Sequence, residues 1–365
     1  MPVSPELAEQ LAKGLVELYT EAEERLLATL ARRLARGIDE PGWPEAKLAE
    51  LRVMRGEVED QLRILRRTGD AKIADAIGMA YNRGVAAAGT DLAAAGAMPQ
   101  VAFGVTDVRA VRALVAETVA QVDGTHLRIL RSTIDGYRDA VAAGAGQVQV
   151  GAATRRDAAG QVLQRFAARG ITGFVDRAGR SWDLATYAEM SVRTATGRAA
   201  VQGHVDRLVQ GGRDLVIVSE STQECELCRP WEGKVLSIGG TGRGTIVAED
   251  LDDGRVDVEV AGTLRDAIAS GLFHANCRHS VSAYLPGVTR PMRDTEDAEG
   301  DADRQRLRYL ERGVREWRRR EAAALSPAEA AKAKAKVAEW QGRIRAHVDT
   351  TSAKRQPQRE RLGAR

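Results

Sequence analysis

Three cysteines and two histidines in the second half of the chain have the spacing of a metal site. A C-x-x-C pair is followed by an H-x-x-C pair, with 45 residues between the two pairs. Two ligands three positions apart can direct both side chains at one point, and a second pair from a distant loop can complete a tetrahedron around zinc. The four predicted zinc ligands are Cys225, Cys228, His274 and Cys277, and His279 is an alternative to His274.

Full protein coordination predicts a structural Zn²⁺ ion, because catalytic zinc keeps one position open for water or substrate. The residues between the two pairs contain predicted strands, so the ion would pin both ends of a small sheet. Two alternatives remain open. The cysteines can be reduced and unligated, or Cys225 or Cys228 can act as a catalytic thiol with His274.

Basic residues are concentrated in the last part of the chain. Residues 304–365 carry 18 basic and 7 acidic side chains, whereas residues 1–303 carry 36 basic and 44 acidic ones. A basic surface can hold the backbone of double-stranded DNA or an acidic partner. The arginines predicted for this contact are Arg312, Arg315, Arg318, Arg319 and Arg320. The competing interpretation is a solvent-facing helix whose glutamates pair with arginines four positions away.

Long helices are predicted before the metal motif. Apolar residues recur at steps of three and four over residues 5–36, which is typical of an amphipathic helix. The same periodicity predicts a second helix from about residue 48 that ends at Gly69, and a third from Ile73. A fourth helix, over 106–141, has near-heptad spacing, which indicates packing along another helix in this chain or in a neighbour.

The region around the metal motif mixes helix and strand patterns. The apolar run Leu215–Val218 predicts a buried strand because it is short and β-branched. The other predicted strands are two short ones within 170–182 and four at 233–238, 244–248, 255–260 and 280–285. The predicted helices are at 154–168, 183–210 and 263–270.

These patterns together predict an α+β protein that is predominantly α-helical. Aromatic residues make up only 4% of the chain, which favours many small helix-packing faces over thick aromatic cores. The predicted parts are a helical interaction region at 1–143, an α+β zinc-knuckle domain at 144–290, an acidic linker at 291–303 and a basic helical tail at 304–365. In the tail, helices are predicted at 304–322 and 326–347, followed by about 15 disordered residues.

Several classes of protein are disfavoured. No stretch of about 18 apolar residues occurs, so we expect no membrane span. The first residues lack a basic region followed by an apolar core, and the odd cysteine count argues against a disulfide framework. We therefore expect a protein made and kept in a cytoplasm unless it is assembled into something that leaves.

The amino-acid sequence around the predicted metal motif resembles that of one protein family. The segments that carry the resemblance are Trp182 to Thr194, Asp214 to Ser219, Cys225 to Lys234 with Ser237, Gly271 to Ser280, and Tyr284 to Gly287. This ordered set resembles the phage minor capsid protein 2 family and, more loosely, the Mu-F-like head morphogenesis proteins. The latter share a cysteine pair followed by a His-x-x-Cys-Arg segment.

The resemblance implies a virion protein that is present in low copy number, which includes several copies per particle. It also implies contact with portal or major capsid proteins. It implies action in head assembly, genome packaging or ejection, in the phage head and, during assembly, in the bacterial cytoplasm. The four ligands carry over, with Trp231, Gly233 and Lys234 as a loop folded against the knuckle. The chain departs from the family at Ala275, where proline is frequent, which softens the turn without removing a ligand.

An enzymatic alternative also follows from the resemblance, since some Mu-F-like relatives have a fold reminiscent of ADP-ribosyltransferases or carry fused toxin domains. The alternative is an ADP-ribosyltransferase-like or nuclease effector carried in the virion. The sequence supplies no paired carboxylates of obvious catalytic spacing, so we predict a structural protein rather than an enzyme. A nucleic-acid-binding zinc module is opposed by the charges of Glu224, Glu226 and Glu232 around the knuckle.

Overall fold

The computed structural model describes residues 5–94, 96, 108–149, 153–171, 174–175, 181–182, 184–221, 227–240, 242–250, 254–275, 277–290 and 298–360. The helices are α1 (Pro5–Ala35), α2 (Trp43–Ala49), α3 (Leu51–Ala94), α4 (Val108–Asp123), α5 (His126–Gln149), α6 (Arg155–Arg169), α7 (Leu184–Gln210), α8 (Leu264–Ala269), α9 (Ala298–Ala322) and α10 (Pro327–Thr350). No helix in these residues combines the length and the apolarity that a membrane crossing requires.

The strands form one hairpin and one small sheet. The strands are β1 (Phe174–Val175), β2 (Ser181–Trp182), β3 (Leu215–Val218), β4 (Val235–Ser237), β5 (Gly244–Glu249), β6 (Arg255–Thr263) and β7 (Val281–Ala283). β1 pairs with β2, and the five-stranded sheet has the order β5-β6-β4-β3-β7. Within the described residues, the pairing of β4 with β6 is parallel and the other strand pairings are antiparallel. The mostly helical chain with its small sheet confirms the predicted α+β, predominantly α class.

The chain divides into two compact units, each built from three separate ranges. Unit 1 comprises Met1–Lys13, Ala71–Val119 and Met190–Ala298. Unit 2 comprises Gly14–Asp70, Ala120–Glu189 and Glu299–Arg365. Each unit combines parts of the N-terminal helices with later segments, and the domain boundaries given above stay predictions.

Unit 1 contains the five-stranded sheet, whose two faces follow from side-chain alternation along the strands. One face of the sheet packs against α3, α7 and α8; its buried residues include Val216, Val218, Leu236, Val281, Leu92, Val205 and Leu264. The opposite face carries a smaller cluster formed by Leu215, Val235, Val258 and Val260. All of β3 is buried, as its apolar run predicts.

Two glycines allow α3 and α7 to approach closely within unit 1. A Cβ atom on Gly84 would overlap the backbone of Ala200, and one on Gly203 would overlap the carbonyl oxygen of Tyr81. The Tyr81 hydroxyl donates to Asp206 at 2.7 Å beside this contact. The helix backbones themselves therefore touch, and any side chain at either glycine must push them apart.

Unit 2 consists mainly of helices, together with the β1–β2 hairpin, and has aromatic residues at close contacts between its helices. Trp43 is buried and donates its indole N–H to the carbonyl oxygen of Leu34 at 2.9 Å. Gly136 of α5 lies against the ring of Phe166 in α6, and Gly144 of α5 lies against the ring of Trp43. Because these small residues leave room for rings, few aromatic side chains suffice to fill the contacts.

Two predicted helix boundaries are wrong. The structure has one continuous α3 where the sequence predicted a break at Gly69. Gly69 instead leaves space for the buried ring of Tyr19, whose hydroxyl would lie 3.2 Å from an added Cβ atom. The predicted helix over 106–141 is in fact interrupted between α4 and α5, where the hydroxyl of Thr125 donates to the carbonyl oxygen of Val122 at 2.6 Å.

The C-terminal segment differs from the prediction at both of its ends. α9 begins at Ala298, inside the predicted acidic linker, and residues 291–297 lie outside the described residues. Residues 351–365 were predicted to be disordered, and residues 361–365 lie outside the described residues. In the described part, Arg359 pairs with Glu189 at 2.8 Å and the buried Glu360 pairs with Arg355 at 2.6 Å. These ion pairs order a segment whose polar composition alone indicated disorder.

The glycine contact gives a test of unit 1. Gly84→Ala is expected to lower the stability of the chain by about 1–3 kcal/mol, because the new methyl group overlaps backbone that cannot move aside. The measurement is the midpoint of urea unfolding followed by circular dichroism. Gly89→Ala on the same helix is the matched control, since an added Cβ atom there meets nothing within 4 Å. The control should be neutral or stabilising by up to about 1 kcal/mol. Equal effects of the two substitutions would contradict the close contact.

Candidate metal centre

Antiparallel pairing of β3 with β7 brings the two halves of the metal motif together. Val218 at the end of β3 faces Val281 at the start of β7. The N–H of Ser219 donates to the carbonyl oxygen of Ser280 at 2.9 Å and extends this pairing by one step. The loop that leaves β3 and the loop that enters β7 therefore lie side by side, although 49 positions separate Cys228 from Cys277.

Three of the candidate ligands converge at this point. The Sγ atoms of Cys228 and Cys277 are 3.5 Å apart. Nδ1 of His279 lies 3.4 Å from Sγ of Cys277, and one ligand atom from each of the three residues lies within 4.8 Å of the other two. A disulfide would bring the two sulfurs to about 2.0 Å, so this geometry is that of two separate thiols.

These distances suit a tetrahedral zinc ion. With Zn–S bonds of about 2.3 Å and a Zn–N bond of about 2.0–2.1 Å, tetrahedral angles place two sulfurs about 3.8 Å apart and a sulfur and a nitrogen about 3.5 Å apart. The sulfur–sulfur distance of 3.5 Å and the sulfur–nitrogen distance of 3.4 Å are close to both values. The three side chains can thus hold three corners of the coordination sphere.

Hydrogen bonding favours the thiolate form of Cys277, which is the form that binds metal, whereas burial opposes it. Cys228 is fully buried in the sheet's larger core cluster, and Cys277 packs against that cluster. The hydrogen bond with Cys228 lowers the pKa of Cys277 to about 4 against the opposing effect of burial, with further help from His279. Burial disfavours the charged form of His279, but hydrogen bonds with Cys277 and Glu232 outweigh it and raise its pKa. A cysteine thiolate is the form that a metal ion requires.

The loop predicted to fold against the knuckle forms a turn beside β3. After Cys228 the chain makes a 3₁₀ turn, and the N–H of Trp231 donates to the carbonyl oxygen of Cys228 at 2.9 Å. Gly233 adopts a φ of +64°, a conformation that glycine tolerates best, and its N–H donates to the carbonyl oxygen of Val218. The carbonyl oxygen of Lys234 then accepts from the N–H of Val218 at 3.1 Å.

The same turn places Glu232 beside the candidate ligands. A carboxylate oxygen of Glu232 is in close contact with Nε2 of His279 and also accepts from the N–H of Ser221 at 3.2 Å. From the sequence, Glu232 is expected only to oppose contact with nucleic acid through its charge. Its position four residues after Cys228 gives no recognisable signal, because the contact depends on how the turn folds.

The two remaining predicted ligands are Cys225 and His274. Cys225 lies outside the described residues, so its place in the site stays a prediction. His274 is half-buried, its Nδ1 lies 2.7 Å from the carbonyl oxygen of Ala275, and it does not belong to the group of three converging ligands. The residue before it, Phe273, has a φ of +60°, which is strained for a side chain of this size. This sharp turn directs the chain into the segment that carries Cys277 and His279.

The arginines predicted to contact DNA lie in unlike surroundings within unit 2. Arg319 is buried, donates to the carbonyl oxygen of Ala167 at 3.0 Å and lies 3.8 Å from Glu23. Arg315 donates to the carbonyl oxygen of Arg359 at 3.0 Å. Both guanidinium groups therefore hold the C-terminal helices in place.

The other three arginines of this set differ in exposure. Arg320 pairs with Glu316 at 2.8 Å and lies over the ring of Trp317, as the competing interpretation of a solvent-facing helix expected. Arg318 is half-buried, and Arg312 is exposed. The five arginines therefore do not share one surface.

Comparison with known proteins identifies the family. The family model described as phage minor capsid protein 2 matches residues 3–349. A protein of Lactococcus phage LL-H named "Structural protein" is 26% identical over 196 residues, which is 52% of this chain and 50% of that protein. The chain thus aligns with about half the length of this curated relative, and no solved structure matches it. Because the family model covers nearly all of the sequence, the chain belongs to the phage minor capsid protein 2 family.

Proposed function

We propose that this chain is a structural component of the phage head that attaches to the portal or to the inner face of the shell. The family match over residues 3–349 carries the proposal, and the relative named "Structural protein" supports it. In this role the protein takes part in head assembly, genome packaging or ejection. Nothing in the described residues specifically favours the alternative of an ADP-ribosyltransferase-like or nuclease effector.

Intact particles provide the test of this role. Purified heads of the phage that encodes the chain are expected to contain it, and cross-linking mass spectrometry should join its exposed lysines, such as Lys332 and Lys334, to the portal or major capsid protein. A non-structural protein from the same infected cells serves as the control for contamination. Recovery of the chain from the lysate but not from purified heads would contradict the proposal.

We also propose that a structural Zn²⁺ ion binds at the candidate metal centre. The geometry of Cys228, Cys277 and His279 supports it, and the C-x-x-C spacing supplies Cys225 as a further thiolate. A bound ion would tie the loop after β3 to the loop before β7. Since each pairing of β3 has only three residue pairs, such a link would add substantially to the rigidity of the sheet.

Metal analysis tests the zinc ion. The purified chain is expected to hold about one zinc ion, and a chelator should lower its melting temperature because binding stabilises only the folded state. Cys228→Ser should abolish both the bound zinc and the effect of the chelator. His347→Ala, which removes a histidine of α10, is the matched control and should keep the metal. A metal-free wild-type chain whose melting does not respond to added zinc would refute this part of the proposal.

Contact with double-stranded DNA is the third part of the proposal, and it rests on the positive charge of residues 304–365. Arg319 and Arg315 donate hydrogen bonds to carbonyl oxygens within unit 2. We therefore assign the contact with DNA to exposed cations. Arg312 on α9, with Lys332 and Lys334 on α10, meets that description.

Salt-dependent binding measures this contact. The triple substitution Arg312→Gln, Lys332→Gln and Lys334→Gln should weaken binding to duplex DNA and reduce the slope of log affinity against log salt by about one for each phosphate that is no longer neutralised. A matched triple substitution of exposed Arg52, Arg63 and Arg67 to Gln changes the net charge equally. Identical slopes for both variants would show that total charge, rather than these three positions, determines binding. A wild-type chain that does not bind duplex DNA at low salt would contradict the proposed contact.

A further inference from the structure

The converging thiols leave open which histidine supplies the nitrogen ligand, since both His274 and His279 lie near Cys277 in the sequence. Among the described residues, His279 is the histidine whose ring nitrogen is grouped with the two sulfurs. Nδ1 of His274 instead faces the carbonyl oxygen of Ala275 at 2.7 Å. The contacts therefore separate two residues that the sequence pattern treats as alternatives.

The orientation of the His279 ring decides which of its nitrogens faces the sulfurs. Nδ1 lies 3.4 Å from Sγ of Cys277, whereas Nε2 is in contact with the carboxylate of Glu232. A carboxylate accepts a hydrogen bond from Nε2–H, which leaves the lone pair of a neutral ring on Nδ1. That lone pair then points to the side of the ring where Cys277 and Cys228 lie.

Glu232 is itself held in place. Its side chain is only 12% exposed, and it accepts from the N–H of Ser221 at 3.2 Å. The turn that begins at Cys228 fixes its backbone through the bond from Trp231 N–H to the carbonyl oxygen of Cys228. One short turn thus carries both a ligand and the group that orients another ligand.

We propose that His279 rather than His274 is the nitrogen ligand, that it binds through Nδ1, and that Glu232 is the positioning residue that holds its ring in this orientation. The assignment rests on the zinc ion proposed above. Carboxylates that accept the second N–H of a ligating histidine fix its tautomer and increase its basicity, and their loss typically costs about 10–100-fold in metal affinity.

Zinc affinity of the full chain, measured by competition with a chromophoric chelator, is the first test. His279→Ala should weaken binding far more than His274→Ala, and Glu232→Gln should weaken it about 10–100-fold. Glu259→Gln is the matched control, because Glu259 lines the same cleft of about 570 Å³ as Glu232 and carries the same charge. It should leave the affinity unchanged. A larger loss with His274→Ala, or equal losses in the two glutamate variants, would overturn the assignment.

Spectroscopy on the zinc-loaded wild type keeps the proposal testable if a variant fails to fold. X-ray absorption should show one imidazole ring among sulfur ligands, and that ring signature should disappear in His279→Ala but not in His274→Ala. The ¹⁵N shifts of labelled histidines should identify His279 as metal-bound at Nδ1 and protonated at Nε2. Metal bound at Nε2 of His279, or at His274, would overturn this assignment while leaving the zinc ion intact. A wild type that takes up no metal would overturn both.

Discussion

The pairing of β3 with β7 is the constraint on which the candidate metal centre depends. It sets Val218 opposite Val281, so that the loop carrying Cys228 and the segment carrying Cys277 and His279 must lie side by side. Neither strand is long enough to be stable alone, and both lie in one sheet that packs against α3, α7 and α8. The metal centre therefore depends on helices that begin far from it in the sequence.

Those helices depend in turn on small residues. Gly84 and Gly203 let the backbones of α3 and α7 touch, which brings Leu92 and Val205 onto the face of the sheet. A chain with few aromatic residues cannot fill wide gaps between its elements, so it closes the gaps by bringing backbones together. In unit 2 a glycine serves a different contact, since Gly313 of α9 makes room for the ring of Trp340 in α10.

Much of the secondary structure could be predicted from the sequence, because apolar periodicity reports directly on which side of an element is buried. The run Leu215–Val218 and the helix at 154–168 are examples that the structure confirms. Helix ends were harder to predict. Gly69 has the signature of a helix end, yet its lack of a side chain serves the packing of Tyr19, a contact that no local pattern contains. The convergence of Cys228 with Cys277 followed from motif spacing, whereas the contact of Glu232 with His279 needed the folded turn.

Charge was the least informative signal, because the burial of a charged side chain also depends on contacts that no local pattern contains. The excess of basic residues after position 303 suggested one surface, but the fold uses some of these charges internally. Arg319 and Arg359 are buried against Glu23 and Glu189, two carboxylates that lie far away in the sequence. Buried ions cost much solvation free energy unless they are paired, so each of these arginines requires its carboxylate partner. A count of charges along the chain cannot separate such internal pairs from cations that face solvent, and only the latter can meet DNA or another protein of the particle.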